Sequence, residues 1–152
     1  MAKFKALPRG AQLVLLAGPL LLISLFFTWQ NVEIDYGPAG VATLPLDGFD
    51  VWGLLLALLT IVTVVLVALV QLTDVEMSDD VPWATVTLGL GTAVLAVAVV
   101  KSLTDSGSTW ESYAFLALAG AVAAGTFLDR AAARRVERPV LSRKRRGISS
   151  AV

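Results

Sequence analysis

The chain has 152 residues, of which 57% are hydrophobic and 16% charged, and its formal net charge is zero. It contains no cysteine and no histidine, which excludes disulfides, thiolate nucleophiles, thiol metal sites, imidazole ligation of haem and histidine bases. We therefore predict no catalytic residue, no cofactor and no metal site, and a protein that is not an enzyme. An enzyme would be left with metal-dependent acid chemistry at Glu33, Asp35, Asp47 and Asp50 of the outer linker.

Four apolar stretches predict four transmembrane helices. Each is close to the length a helix needs to cross a bilayer core of roughly 30 Å at about 1.5 Å per residue. They contain a single charged residue, Lys101, near the end of the third. The stretches are about Ala11–Trp29, Val51–Leu72, Val81–Leu103 and Ser112–Leu128. The predicted fold is an all-α membrane protein, a four-helix bundle over residues 1–128 with a basic tail over 129–152.

The linker between the first two spans is predicted to form a short β-hairpin. Asn31–Tyr36 alternates polar and apolar residues, Gly37–Gly40 is typical of a turn, and Val41–Leu44 predicts a returning strand. Asp47 and Asp50 resemble part of a calcium loop, but the other ligands of that motif are missing. We interpret the acidic residues of this linker as a solvated face. They are Glu33, Asp35, Asp47 and Asp50.

Aromatic residues gather where the helices meet this linker. Such residues anchor helices at the level of the lipid headgroups, and they could also floor a site for a lipid or a partner. The predicted outer aromatic rim consists of Trp29, Trp52, Trp110 and Tyr113.

Small residues form a stripe on each of the last two spans. Such stripes let helix backbones approach closely in lipid, so we predict that these helices pack as a tight antiparallel pair. A contact between copies of the chain is the alternative. The predicted packing residues are Thr85, Gly89, Thr92 and Ala96 on the third span, and Ala114, Ala117, Ala121 and Gly125 on the fourth.

Eleven of the 12 basic residues lie before the first span or after the fourth, and Lys101 is the exception. The positive-inside rule therefore predicts a multi-pass protein of the plasma (inner) membrane with both termini in the cytoplasm. The tail cluster is predicted to bind anionic lipids rather than nucleic acid. It consists of Arg143, Lys144, Arg145 and Arg146.

The segments Leu21–Trp29 and Phe49–Gly53 resemble small four-helix membrane proteins of actinobacterial type. In these, an aromatic exit from the first helix precedes a loop and a Trp-led second helix. The resemblance implies an architecture but no defined activity. The layout is also similar to that of claudin-like tetraspans, whose loop carries a cysteine pair that this chain lacks, so that likeness is one of topology.

These features predict a non-enzymatic membrane protein that acts by association, as a homo-oligomer or as an accessory subunit of a membrane complex. The alternative is an oligomeric channel or facilitator for a small solute or ion. Its path would be lined by Thr60, Thr63, Thr85 and Thr92.

Overall fold

The structure is a computed structural model that describes residues 4, 6–73, 81–104 and 110–149, without the side chains of 29–30, 111 and 135–149. Four helices make up most of it. They are α1 (Arg9–Ser24), α2 (Val51–Leu72), α3 (Trp83–Thr104) and α4 (Trp110–Ser149). Strand β1 (Thr28–Asp35), a 3₁₀ turn (Gly37–Ala39) and strand β2 (Val41–Asp47) lie between α1 and α2. The mostly helical fold and the β-prone loop are thereby confirmed.

Three helices of the described part are long and apolar enough to cross a membrane: α2, α3 and the segment Ser112–Arg134 of α4. Helix α1 is apolar but has only 16 residues. The prediction that the first helix runs to Trp29 was wrong by five residues, because Trp29 belongs to β1. Beyond Ser24 the chain turns into β1. The Gly48 amide, directly after β2, donates to the Leu25 carbonyl at 2.9 Å and joins the hairpin to the end of the helix.

The helices form a ring in which α1 packs on α2 and α4, and α3 packs on the same two helices. Their inward faces form one apolar core. Each helix contributes residues with no exposed surface, among them Val14, Leu21, Leu56, Val94 and Val122. Large apolar side chains also cover the outside of the ring, including Leu16, Leu20 and Ile23 on α1 and Leu54 and Leu58 on α2. Helices that are apolar on all faces are typical of a membrane environment.

Glycines bring the helix backbones together at three interfaces of the ring. A β-carbon on Gly18 of α1 would collide with Val64 of α2, and one on Gly91 of α3 would collide with Thr126 of α4. Gly125 of α4 lies against α1, where a β-carbon would come within 2.7 Å of Val14. In lipid the hydrophobic effect does not drive helices together, so close packing of this kind stabilises the association of the helices instead.

Successive helices run antiparallel, so the bundle has two distinct ends. The hairpin end holds the two strands, the first turns of α2 and α4, and the last turn of α3. The tail end holds the first turns of α1 and α3, the last turn of α2, and α4 around Asp129. Contacts that join the helices at these ends involve Asp50 with Lys101, and Ala11 with Asp129.

Candidate functional site

A buried ion pair joins two helices at the hairpin end. Lys101 lies in the last turn of α3 and is fully buried, and its Nζ is 2.8 Å from Oδ1 of Asp50. The Asp50 side chain is 38% exposed. Removing an ammonium group from water is unfavourable unless an opposite charge and hydrogen bonds compensate. The pair therefore accounts for the one charged residue inside the predicted spans.

Asp50 also caps α2. Its backbone is extended, and its Oδ1 accepts a hydrogen bond from the Gly53 amide at 2.7 Å. A helix leaves its first amides without backbone partners, so a carboxylate there satisfies one of them and faces the positive end of the helix dipole. Gly53 is required because a β-carbon would run into the Gly48 carbonyl. One carboxylate thus fixes the start of α2 against the end of α3.

In the sequence, Lys101 is a charge near the end of a span and Asp50 belongs to an acidic face, and the two were not predicted to meet. A usable signal was nonetheless present. A basic residue inside an apolar span normally pairs with a carboxylate, and Asp50 directly precedes a span on the same side of the predicted topology.

Asp129 of α4 occupies the equivalent position at the tail end. Its Oδ1 accepts a hydrogen bond from the Ala11 amide at 3.1 Å, in the first turn of α1. The residue before α1 is Pro8, whose side chain provides no cap. Gly10 permits the contact, because a β-carbon there would collide with Asp129 and with the Gly125 carbonyl. A residue of the last helix therefore caps the first.

Two cavities flank Asp129. One, of about 200 Å³, lies between the last turn of α2, the first turn of α3 and α4. Its lining residues are Val67, Val70, Gln71, Trp83, Ala84, Thr87, Asp129 and Ala133. The other, of about 360 Å³, is more open and is lined by Pro8, Arg9, Gly10 and residues of α4 between Leu128 and Ala132. Neither cavity was predictable from the sequence, because the lining residues converge from separate helices.

Two other carboxylates of the acidic linker hold turns of the hairpin. Asp35 Oδ1 accepts from the Gly37 amide at 2.7 Å, and Asp47 Oδ1 accepts from the Phe49 amide at 3.1 Å. Glu33 lies exposed on β1. Among the residues that the structure describes, no three acidic side chains are grouped as a metal ion would require.

The small-residue stripes lie differently on the two helices. All four stripe residues of α3, namely Thr85, Gly89, Thr92 and Ala96, are exposed. Helix α3 packs within the chain through a neighbouring face that includes Thr87, Gly91, Val94 and Ala98. On α4, Gly125 is buried and Ala121 half-buried, whereas Ala114 and Ala117 are exposed. The contact of α3 with α4 through a small residue is therefore made at Gly91. Gly89, two residues earlier, faces outward.

The aromatic rim is gathered at the hairpin end. Trp52 begins α2, while Trp110 and Tyr113 lie in the first turn of α4. All three side chains are exposed. Trp29 lies in β1, and its side chain is outside the described part, as are the side chains of the tail cluster Arg143–Arg146.

The four threonines of the channel alternative do not share a face. Thr60 and Thr63 are fully buried, and their hydroxyls donate to the Leu56 and Leu59 carbonyls of their own helix at 2.7 Å. Thr85 and Thr92 point outward from α3. A polar path along these hydroxyls is therefore not assembled within one copy of the chain.

Comparison of the chain with protein-family models, with curated proteins and with solved structures gave no match in any of the three.

Proposed function

We propose that this protein is a four-pass protein of the plasma (inner) membrane, with both termini in the cytoplasm. Helix α1 is short, but it packs along α2 and α4, which are long enough to cross a membrane. Its outward residues Leu16, Leu20 and Ile23 are more than half exposed. An apolar face of that kind, held beside two spans, fits lipid rather than water. Four crossings place both ends of the chain on one side.

The distribution of basic residues supports this orientation. Eleven of 12 lie at the tail end or in the sequence beyond it, which the positive-inside rule assigns to the cytoplasm. The exception, Lys101, is buried and paired with Asp50. We also propose that the tail cluster Arg143–Arg146 binds anionic lipids of the inner leaflet, where each basic residue contributes on the order of 1 kcal/mol.

The topology is testable because the chain has no native cysteine. We expect single cysteines at residues 2 and 151 to resist an impermeant maleimide in intact cells and to react after permeabilisation. Thr43→Cys, on the exposed strand β2, serves as the outward-facing control and should react without permeabilisation. Labelling of either terminus in intact cells contradicts the proposed orientation.

Within the membrane, the protein is proposed to act by association, with itself or as an accessory subunit of a larger complex. The observation that carries this proposal is the exposed stripe of α3 (Thr85, Gly89, Thr92, Ala96). A β-carbon on Gly89 would meet no atom within 4 Å, so another helix could approach this face closely. Small residues at such spacings are a recurrent means of helix association in lipid.

A leucine at Gly89 tests the association. Within one copy of the chain, a β-carbon at this position meets no atom within 4 Å. We therefore expect G89L to keep its fold and to dissociate the oligomer or the co-purifying partner. G120L is the matched control, since Gly120 on α4 also has no atom within 4 Å of a β-carbon. Size measurement in mild detergent, with identification of co-purifying proteins, provides the readout. If the assembly is unchanged in G89L, the stripe is not its contact surface. Conductance of the purified protein in liposomes would favour the channel alternative.

A further inference from the structure

The smaller cavity beside Asp129 has an unusual combination of walls for the end of an apolar bundle. Val67, Val70 and Ala84 contribute apolar surface, and Trp83 contributes an indole. Asp129 is the single charged side chain among the described residues that line it. A concave apolar site with a few polar groups is the usual form of a small-molecule site.

The carboxylate is held in place before any ligand arrives. The Ala11 amide donates to one oxygen, Oδ1, and Gly10 allows α1 to press against the group. An ionised carboxylate accepts about four hydrogen bonds over its two oxygens. The bond to Ala11 therefore orients Asp129 and leaves it capacity for a further donor.

The composition of the lining selects the kind of ligand. A negative charge beside an indole ring attracts cations, because the electron-rich face of such a ring also attracts positive charge. A calcium or magnesium ion needs six or more oxygen ligands, several of them from the protein or from retained water. This lining instead offers one carboxylate, one amide from Gln71 and the Thr87 hydroxyl, which already donates to the Trp83 carbonyl at 3.1 Å. The remaining walls are largely apolar and suit a cation that carries carbon.

We propose that this cavity binds the ammonium group of an organic amine, with its charge at Asp129 and its carbon atoms against Trp83, Val67 and Val70. Two sources present this chemistry at a membrane surface: a free amine such as ethanolamine or choline, and the headgroup of an amine-bearing phospholipid. The site is independent of the α3 stripe, so it stands whether or not the protein associates through that stripe.

The first experiment uses the purified full chain in detergent, titrated by calorimetry with ethanolamine, choline and tetramethylammonium. The neutral carbon isostere of choline has the same shape without the charge and provides the comparison. We expect the amines to bind at least tenfold more tightly than the isostere. A second arm reconstitutes the protein with equal amounts of phosphatidylethanolamine, phosphatidylcholine and phosphatidylglycerol and identifies the retained lipid by native mass spectrometry.

Asp129→Asn is the decisive variant, because the amide oxygen still accepts from Ala11 while the charge is lost. For ethanolamine, whose ammonium group donates hydrogen bonds, loss of a charge-assisted hydrogen bond predicts roughly tenfold to a hundredfold weaker binding. Choline and tetramethylammonium carry no N–H, so for them the variant removes the attraction between the two charges and should also weaken binding. Asp47→Asn is the matched control, since Asp47 is also a carboxylate that accepts one backbone amide, but on the hairpin. Ala84→Leu fills the cavity with Asp129 intact and should also abolish binding.

Binding of free amines without lipid retention assigns the site to soluble amines, and selective retention of an amine-bearing lipid over phosphatidylglycerol assigns it to headgroups. In either case, D129N and A84L must each weaken the binding. Absence of binding in both arms overturns the proposal. So does binding that survives either variant, or binding of the neutral isostere as tight as that of choline.

Discussion

Helices α1 and α2 begin with the same hydrogen bond but obtain it in different ways. In each, the amide of the third helical residue, Ala11 or Gly53, donates to a carboxylate oxygen. For α2 the acceptor is Asp50, the residue directly before the helix. For α1 the acceptor is Asp129, 118 residues away on α4. The first cap is a local feature of the chain, whereas the second exists only once the bundle has formed.

The two carboxylates also differ in what else surrounds them. Asp50 shares its oxygen with the buried Lys101 ammonium, so the charge of Asp50 is already paired within the protein. Asp129 lies between two cavities. At the hairpin end the carboxylate therefore acts only in structural contacts, while at the tail end a structural contact lies beside open space.

The largest effect is expected from Asp50→Ala at the hairpin end. The substitution removes the cap of α2 and takes the carboxylate away from a buried ammonium. Breaking a buried pair from one side destabilises by about 3–5 kcal/mol; because Asp50 is partly exposed, we expect about 3 kcal/mol. Detergent-titration unfolding of the purified protein, followed by circular dichroism, measures the loss.

Lys101→Met provides the control for that interpretation. Once the ammonium is gone, Asp50→Ala should lose only the helix cap, about 1 kcal/mol. The pair of substitutions is thus expected to be strongly non-additive, as contacting charges are in double-mutant cycles. Equal losses from Asp50→Ala in both backgrounds would show that the ion pair contributes nothing.

An intermediate effect is expected from Gly10→Ala at the tail end. The added methyl group meets Asp129 and the Gly125 backbone carbonyl, and the backbone cannot move aside easily. Overpacking of this kind typically destabilises by about 1–3 kcal/mol. Gly120→Ala is the matched control, because its methyl group enters open space and should be neutral or slightly stabilising through helix propensity. A Gly10→Ala protein as stable as the control contradicts the close contact between α1 and α4.

The contrast between the ends also explains what the sequence could and could not predict. The apolar stretches located all four helices, and the turn residues Gly37–Gly40 located the hairpin, because each signal lies within a short segment. No local signal of this kind showed which face of α3 packs against α4. Gly89 and Gly91 are both small and both lie in apolar surroundings, and only the position of Thr126 on α4 makes Gly91 the contact. The cavity beside Asp129 is lined by three helices, and the amide that orients the carboxylate comes from the fourth, so the site had no local signature at all.

The smallest effect separates the structural contact of Asp129 from the proposed binding of an amine. Asp129→Ala removes the acceptor for the Ala11 amide, and loss of a helix cap destabilises by about 1 kcal/mol. Asp129→Asn keeps an acceptor oxygen and gives up only the charge, so it should be destabilised by a few tenths of a kcal/mol, the part due to the helix dipole. Both are compared with wild type in the same unfolding assay, with Asp47→Asn and Asp47→Ala as the equivalent pair at the exposed hairpin turn. If Asn destabilises as much as Ala, the charge itself supports the tail end, and Ala84→Leu, which leaves Asp129 in place, then separates amine binding from stability. A stable Asn variant leaves a folded protein in which the carboxylate charge alone has been removed from the cavity.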